Sequence, residues 1–129
     1  MESTSSHEHE IIVALETLRN MSEACDYLLN WNEGIDTSDD YLTSAEGVKL
    51  MAASCMLIEA LGEETTKLDK LLPGFLQETR PDIEWKGVKG MRDHIAHGYF
   101  NINAMLVFAT VKDEIAKLKD AVEDLKNKL

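Results

Sequence analysis

Seven apolar residues, Phe108, Val111, Ile115, Leu118, Val122, Leu125 and Leu129, follow one another at alternating intervals of three and four without a miss. That spacing keeps one stripe of a helix apolar over its whole length and demands a partner helix to bury it. Asn101 or Asn103 is placed to cap its start. A chain ending in such a helix is constrained to pack helix on helix, and the rest of the sequence agrees. From about His9 to Leu29, Ile11, Ile12, Leu15, Leu18, Cys25, Leu28 and Leu29 recur at helical spacing. A second segment begins after Ser44, a suitable N-cap, and runs through Val48, Met51, Ala52, Cys55, Ile58 and Leu61 to Leu72. Gly47 and Gly62 weaken its continuity.

Between these segments, residues 32–40 concentrate Asn, Gly, Asp, Thr and Ser, so the chain turns there. Pro73-Gly74 breaks the second helix, because proline lacks an amide donor and clashes with the preceding turn. A short helix over Phe75–Thr79 follows. Trp85, Val88, Met91 or Arg92, and Ile95 predict another short helix, with Gly98 as its left-handed cap. No segment alternates with a period of two. The expected fold is all-α: one antiparallel bundle of three long and one or two short helices over residues 9–129, preceded by a flexible tail over residues 1–8.

Cys25 and Cys55 sit in apolar helical patterns, without the spacing of a zinc site or a redox pair, and read as core thiols in a reducing cytoplasm. The apolar runs are too short for a bilayer, and no membrane partner is expected. The formal charge of −11 repels phosphate backbones and weighs against general nucleic-acid binding. Its distribution is uneven. Residues 1–50 carry 11 acidic against 2 basic side chains, whereas residues 80–99 carry 4 basic against 3 acidic.

That locally cationic stretch contains Arg92, Asp93, His94, His97 and Tyr99. Arginine presents a planar fork of donors suited to phosphate, and histidine titrates near neutrality, so the pair suits acid–base work on a phosphodiester. Five helical steps set them about 140° apart. A joint site therefore requires the helix to end near His97, a second copy of the chain, or both. A plainer reading stays open: cations at a helix C-terminus favour the macrodipole and the free carbonyls, so both residues fit a capping role. His94 and His97 share a helical face beside Asp93, but a metal site needs ligands that the sequence does not supply, and neither metal nor cofactor is expected. Met51, Met56, Trp31 and Trp85 read as core or interface residues, and Met91 and Trp31 as candidates for a contact between copies. Tyr99 alone signals a packing aromatic.

The run Pro81-Asp82-Ile83-Glu84-Trp85-Lys86, then Gly90-Met91-Arg92-Asp93, then His97-Gly98-Tyr99-Phe100 and Ile102, with Ile58-Glu59-Ala60-Leu61-Gly62-Glu63 upstream, resembles the HEPN domain family. The likeness is to its small toxin branch (HepT-like), which is paired with minimal nucleotidyltransferase antitoxins, and it spans roughly Glu10 to Leu125. The resemblance implies a homodimeric bundle of four to five helices, with the Arg-x4-His-x-Tyr motif of both protomers meeting at the interface. It further implies a bacterial or archaeal toxin acting as a metal-independent endoribonuclease, with RNA and not DNA as substrate. By the same resemblance His97 is the general acid or base, Arg92 stabilises the developing charge, Asp93 orients the site, and Tyr99 is the acceptor of AMP from the cognate antitoxin. His94 matches no functional position. An alternative is a non-catalytic, nucleotide-binding partner subunit of a nucleotidyltransferase.

Overall fold

A computed structural model describes residues 2–98 and 100–129, with residues 2–5 described by their backbone alone. The chain is an all-α bundle. Its helices, in order, are α1 (Glu2–Trp31), α2 (Ala45–Leu71), α3 (Phe75–Thr79), α4 (Trp85–Ile95), α5 (Ala104–Ala109) and α6 (Ile115–Asn127). A π-helical turn, Thr110–Glu114, joins α5 to α6.

The heptad stripe is buried as its spacing requires. Val111, Ile115, Leu118, Val122 and Leu125 all face the core, and Phe108 and Leu129 pack half-buried at its ends. It lies against α1, whose own seam is Ala14, Leu18, Met21, Cys25 and Leu28. Two polar contacts fix the antiparallel register: Ser22 donates to Glu123 at 2.6 Å, and Lys119 pairs with Asp26. Each fully buried leucine or isoleucine along these seams contributes roughly 1.5–3 kcal/mol of hydrophobic transfer. The seam of α1 is rotated from the predicted face, leaving Ile12 exposed. The helix also starts at Glu2, ahead of His9, and takes in backbone that the sequence assigns to a tail.

α2 packs along the other side of α1. Ser44 caps it, its hydroxyl oxygen accepting from the Gly47 amide at 3.0 Å. The turn between the two helices is fastened by one buried side chain, Asn32. Its amide nitrogen donates to the Leu28 carbonyl at 2.8 Å and to Ser54 at 3.0 Å, and its side-chain oxygen accepts from the buried Tyr41 hydroxyl at 2.5 Å. Lys112, from the π-helical turn, donates to the Asn32 carbonyl at 2.9 Å. All four segments around this node are thereby tied without leaving its polar atoms orphaned.

The two glycines that weaken the second helical pattern are closely packed points inside one unbroken α2. A Cβ on Gly47 would lie 2.4 Å from the Asp40 carbonyl oxygen, and one on Gly62 would lie 2.9 Å from that of Lys89. The second contact sets α4 directly on α2. Beyond α2, Pro73-Gly74 ends the helix as expected and α3 follows. Arg80 then clamps the approach to α4: Nε and Nη2 donate to Asp82 at 2.9 and 2.8 Å, and Nη1 donates to Asp120 of α6 at 3.1 Å. The Trp85 indole donates to the Arg80 carbonyl at 2.9 Å.

Both cysteines are buried and unpaired, and burial raises the Cys25 thiol to about 12. Among the described residues, no helix is long and apolar enough to cross a membrane.

Two outcomes are expected. Gly62→Ala forces α4 away from α2 and lowers stability by about 1–3 kcal/mol, whereas Gly90→Ala, in open space on α4, raises it by up to about 1 kcal/mol; urea denaturation midpoints compare them. Asp82 is held down to about 2 by its hydrogen bonds from Arg80. A depressed carboxylate stabilises the fold above its usual value of 3.8, and that contribution is lost as pH falls through the folded value of about 2. Between pH 4 and pH 2 the parent's stability is therefore expected to fall more steeply than that of Asp82→Asn, as denaturation across that range measures.

Candidate active site at the end of α4

α4 is amphipathic because Trp85, Val88 and Ile95 turn inward while Lys86, Asp93 and His94 face solvent. It crosses α2 in antiparallel sense. Lys89 pairs with Asp69 at 2.5 Å, and one turn later Arg92 Nε lies 3.6 Å from Glu59 Oε2. Gly62, between those two levels of α2, is what lets the helices approach so closely. Arg92 and Glu59 are both partly open, at 38% and 41% exposure. They line a shallow groove of about 310 Å³ together with Glu63, Thr66, Lys89 and Asp93.

The helix stops before His97. Ile95 is its last residue, Ala96 donates to the Arg92 carbonyl at 3.0 Å, and the Ala96 backbone is already extended at φ −152° and ψ 143°. Ala96 then pairs with Ile102 in an isolated antiparallel bridge. The His97 amide donates to the Asn101 carbonyl at 3.0 Å, and the Asn103 amide donates to the Ile95 carbonyl at 2.7 Å. Gly98, at φ +84°, serves this turn and is not the helix cap expected of it. The helical phase that separates Arg92 from His97 by about 140° in an unbroken helix thus ends before His97 is reached. Asn103 caps α5, its side-chain oxygen accepting from the Leu106 amide at 3.1 Å.

His97, Asp93 and His94 are solvent-exposed. Among the described residues, neither Arg92 nor His97 donates a side-chain hydrogen bond to the last carbonyls of α4, and no group of three or more His, Cys, Asp or Glu is arranged around a possible metal position. Tyr99 lies outside the described residues. Next to it Phe100 is 98% exposed. Of the residues read as core or interface, Met51 and Trp85 are buried, Met91 is half-buried, and Met56 and Trp31 are exposed, Trp31 stacking on Tyr27 with ring centroids 5.0 Å apart.

The sequence does not reveal the Lys89–Asp69 pairing, nor the contact made by Glu59. Glu59 stands within the quoted motif of the second helix, but its pairing with Arg92 depends on how α4 lies across α2.

The chemistry available at this end of α4 is a guanidinium fork, an accessible imidazole and a neighbouring carboxylate. This combination suits binding of a phosphodiester and proton transfer at it. Comparison with known proteins points the same way. The chain is 28% identical over 111 residues to "Putative RNase TTE0752" of Caldanaerobacter subterraneus subsp. tengcongensis, a match covering 86% of this chain and 92% of that protein. It is 28% identical over 109 residues to "Probable ribonuclease HepT" of Thermococcus cleftensis, covering 84% and 92% respectively. No solved structure matches the chain. The family profile described as ribonuclease HepT-like matches residues 19–125, which include α2, α4 and the whole turn from Ala96 to Ile102, and the chain belongs to that family.

Proposed function

We propose that this chain is the toxin component of a HEPN/nucleotidyltransferase toxin–antitoxin pair, a metal-independent endoribonuclease that works as a homodimer. The observation that carries the reading is the end of α4. Arg92 in its last turn makes no side-chain hydrogen bond among the described residues, and His97 leaves the helix immediately beyond, exposed.

In this reading the RNA 2′-oxygen attacks the adjacent phosphorus and the bond to the 5′-oxygen breaks, leaving a 2′,3′-cyclic phosphate and a 5′-hydroxyl. One His97 imidazole takes the 2′-hydroxyl proton, and the imidazolium of the second protomer returns a proton to the departing 5′-oxygen. Arg92 stabilises the charge that builds on the phosphorane oxygens. Asp93, beside it on the groove wall, helps to orient the site. No metal enters these steps. Addition of AMP to Tyr99 by the cognate nucleotidyltransferase would place negative charge two residues along the chain from His97 and repel an RNA backbone.

The acidity of the chain fits this activity only locally. The excess of one basic side chain over residues 80–99 becomes two in a dimer, against a formal charge of −11 for each whole chain. The same acidity favours the second reading, a nucleotide-binding partner subunit that cuts nothing.

The test is incubation of the purified protein with total tRNA in excess EDTA, beside His97→Ala, with the dimer checked by light scattering and Tyr99 by intact mass. Cleavage by the parent to cyclic-phosphate ends, reduced on the order of a hundredfold or more in His97→Ala, is the expected outcome. A folded, unmodified dimer that leaves the RNA whole overturns the ribonuclease reading in favour of the partner subunit.

A further inference from the structure

We infer that Glu59 is a positioning residue for Arg92. Its carboxylate, within ion-pair range of Nε at 3.6 Å, biases the guanidinium so that the two terminal nitrogens face the scissile phosphate. The inference rests on the ribonuclease reading and deepens it, since the sequence offers no role for Glu59.

Two arginines near the ends of one short stretch of chain differ in what surrounds them. Arg80 uses all three guanidinium nitrogens, two on Asp82 and one on Asp120, and its side chain is only 15% exposed. Each of its nitrogens is already engaged by a carboxylate of the fold, so it is a structural clamp. Arg92 has one charged partner among the described residues, Glu59, at 3.6 Å from Nε. Its outer edge, the pair of terminal nitrogens that match two phosphate oxygens, makes no hydrogen bond among the described residues. The neighbouring cation in the groove, Lys89, is already engaged by Asp69. Arg92 is thus the groove's available phosphate donor, and Glu59 the group that limits where its fork can point.

The placement of Glu59 is as fixed as a helix can make it. It sits one turn before Gly62 on α2, and the absence of a side chain at Gly62 brings the α4 backbone to the height at which Arg92 reaches back. Arginine loses considerable rotamer freedom on being held in one geometry, and a site that has already ordered it avoids that loss when substrate binds. A partly exposed ion pair adds little to folding stability, so the contact is better suited to orienting Arg92 than to holding the bundle together. Its negative charge also opposes an incoming phosphate. Glu59 is therefore expected to favour turnover at some expense of affinity.

The experiment uses the full dimeric chain and a short RNA oligonucleotide in excess EDTA, comparing the parent with Glu59→Gln, Glu59→Ala and Asp69→Asn. Asp69→Asn breaks the adjacent ion pair of the same groove without touching Arg92. The Glu59 variants are expected to lose on the order of tenfold in kcat with KM unchanged or lowered, while Asp69→Asn, which frees Lys89 for the RNA, keeps the parent's kcat with a lowered KM. In parallel, the 15N order parameter of the Arg92 Nε–H is expected to be higher in the parent and in Asp69→Asn than in Glu59→Gln. An active parent with Glu59 variants that match it in kcat, or an Arg92 resonance indifferent to Glu59→Gln, overturns this inference alone. A parent that cuts no RNA overturns the ribonuclease reading, and the catalytic role of Glu59 with it, whatever the resonance shows.

Discussion

Everything at the candidate site depends on one contact that involves no side chain on α2 at all. At Gly62 the surface of α2 is bare backbone, and the Lys89 carbonyl of α4 sits where a Cβ would be only 2.9 Å away. Two helices separated by packed side chains can slide and repack by fractions of an ångström. Two helices touching backbone to backbone have far less room to adjust. The height of α4 over α2 is therefore set by the main chain, and with it the point at which Arg92 faces Glu59 one turn further along α4. The remaining helices make α2 a firm base. α1 is sandwiched between α2 and α6, and the buried Asn32 node joins α1, α2, the turn between them and the π-helical turn.

How much of this was legible in the sequence follows from how local each determinant is. The heptad of the last helix, the capping serine at Ser44 and the Pro73-Gly74 break act within a turn or two of themselves, and the structure has them as the residues dictate. The glycines could not be read that way. Gly47 and Gly62 look like weak points in a helical pattern because propensity counts only what a residue does to its own helix, whereas both are there for a neighbouring backbone. Gly98 has the positive φ that its residue type suggests, but it turns a five-residue loop closed by the Ala96–Ile102 bridge. That bridge pairs backbone across the turn, which no periodicity announces.

The site divides along the same line. Arg92 and His97 were legible as residue types in an ordered motif, and the chain's family membership is consistent with that reading. Whether they belonged to one helical phase was not legible, because the point at which α4 ends is decided by the competition between another helical turn and the bridge to Ile102. The partnership of Glu59 with Arg92 was further out of reach, since it exists only through the crossing of α2 and α4. Met56 and Trp31 show the converse: residue type said core or interface, and both lie open on this protomer.

The two candidate side chains are consequently held by different kinds of restraint. Arg92 takes its position from a helix packed backbone to backbone on another helix, while His97 takes its own from a turn fastened by two hydrogen bonds, His97 to Asn101 and Asn103 to Ile95. A short turn of this kind opens more readily than a packed helix, because fewer buried contacts are lost. On the proposed reading this division suits the chemistry. The charge-stabilising group must already be in place when the phosphorane forms, because reorientation at that moment would subtract from its effect. The proton-transferring group needs room to meet first one oxygen and then another. An arginine on a packed helix with a carboxylate in ion-pair range, followed by a histidine on an adjustable turn, meets both requirements with a single helix end.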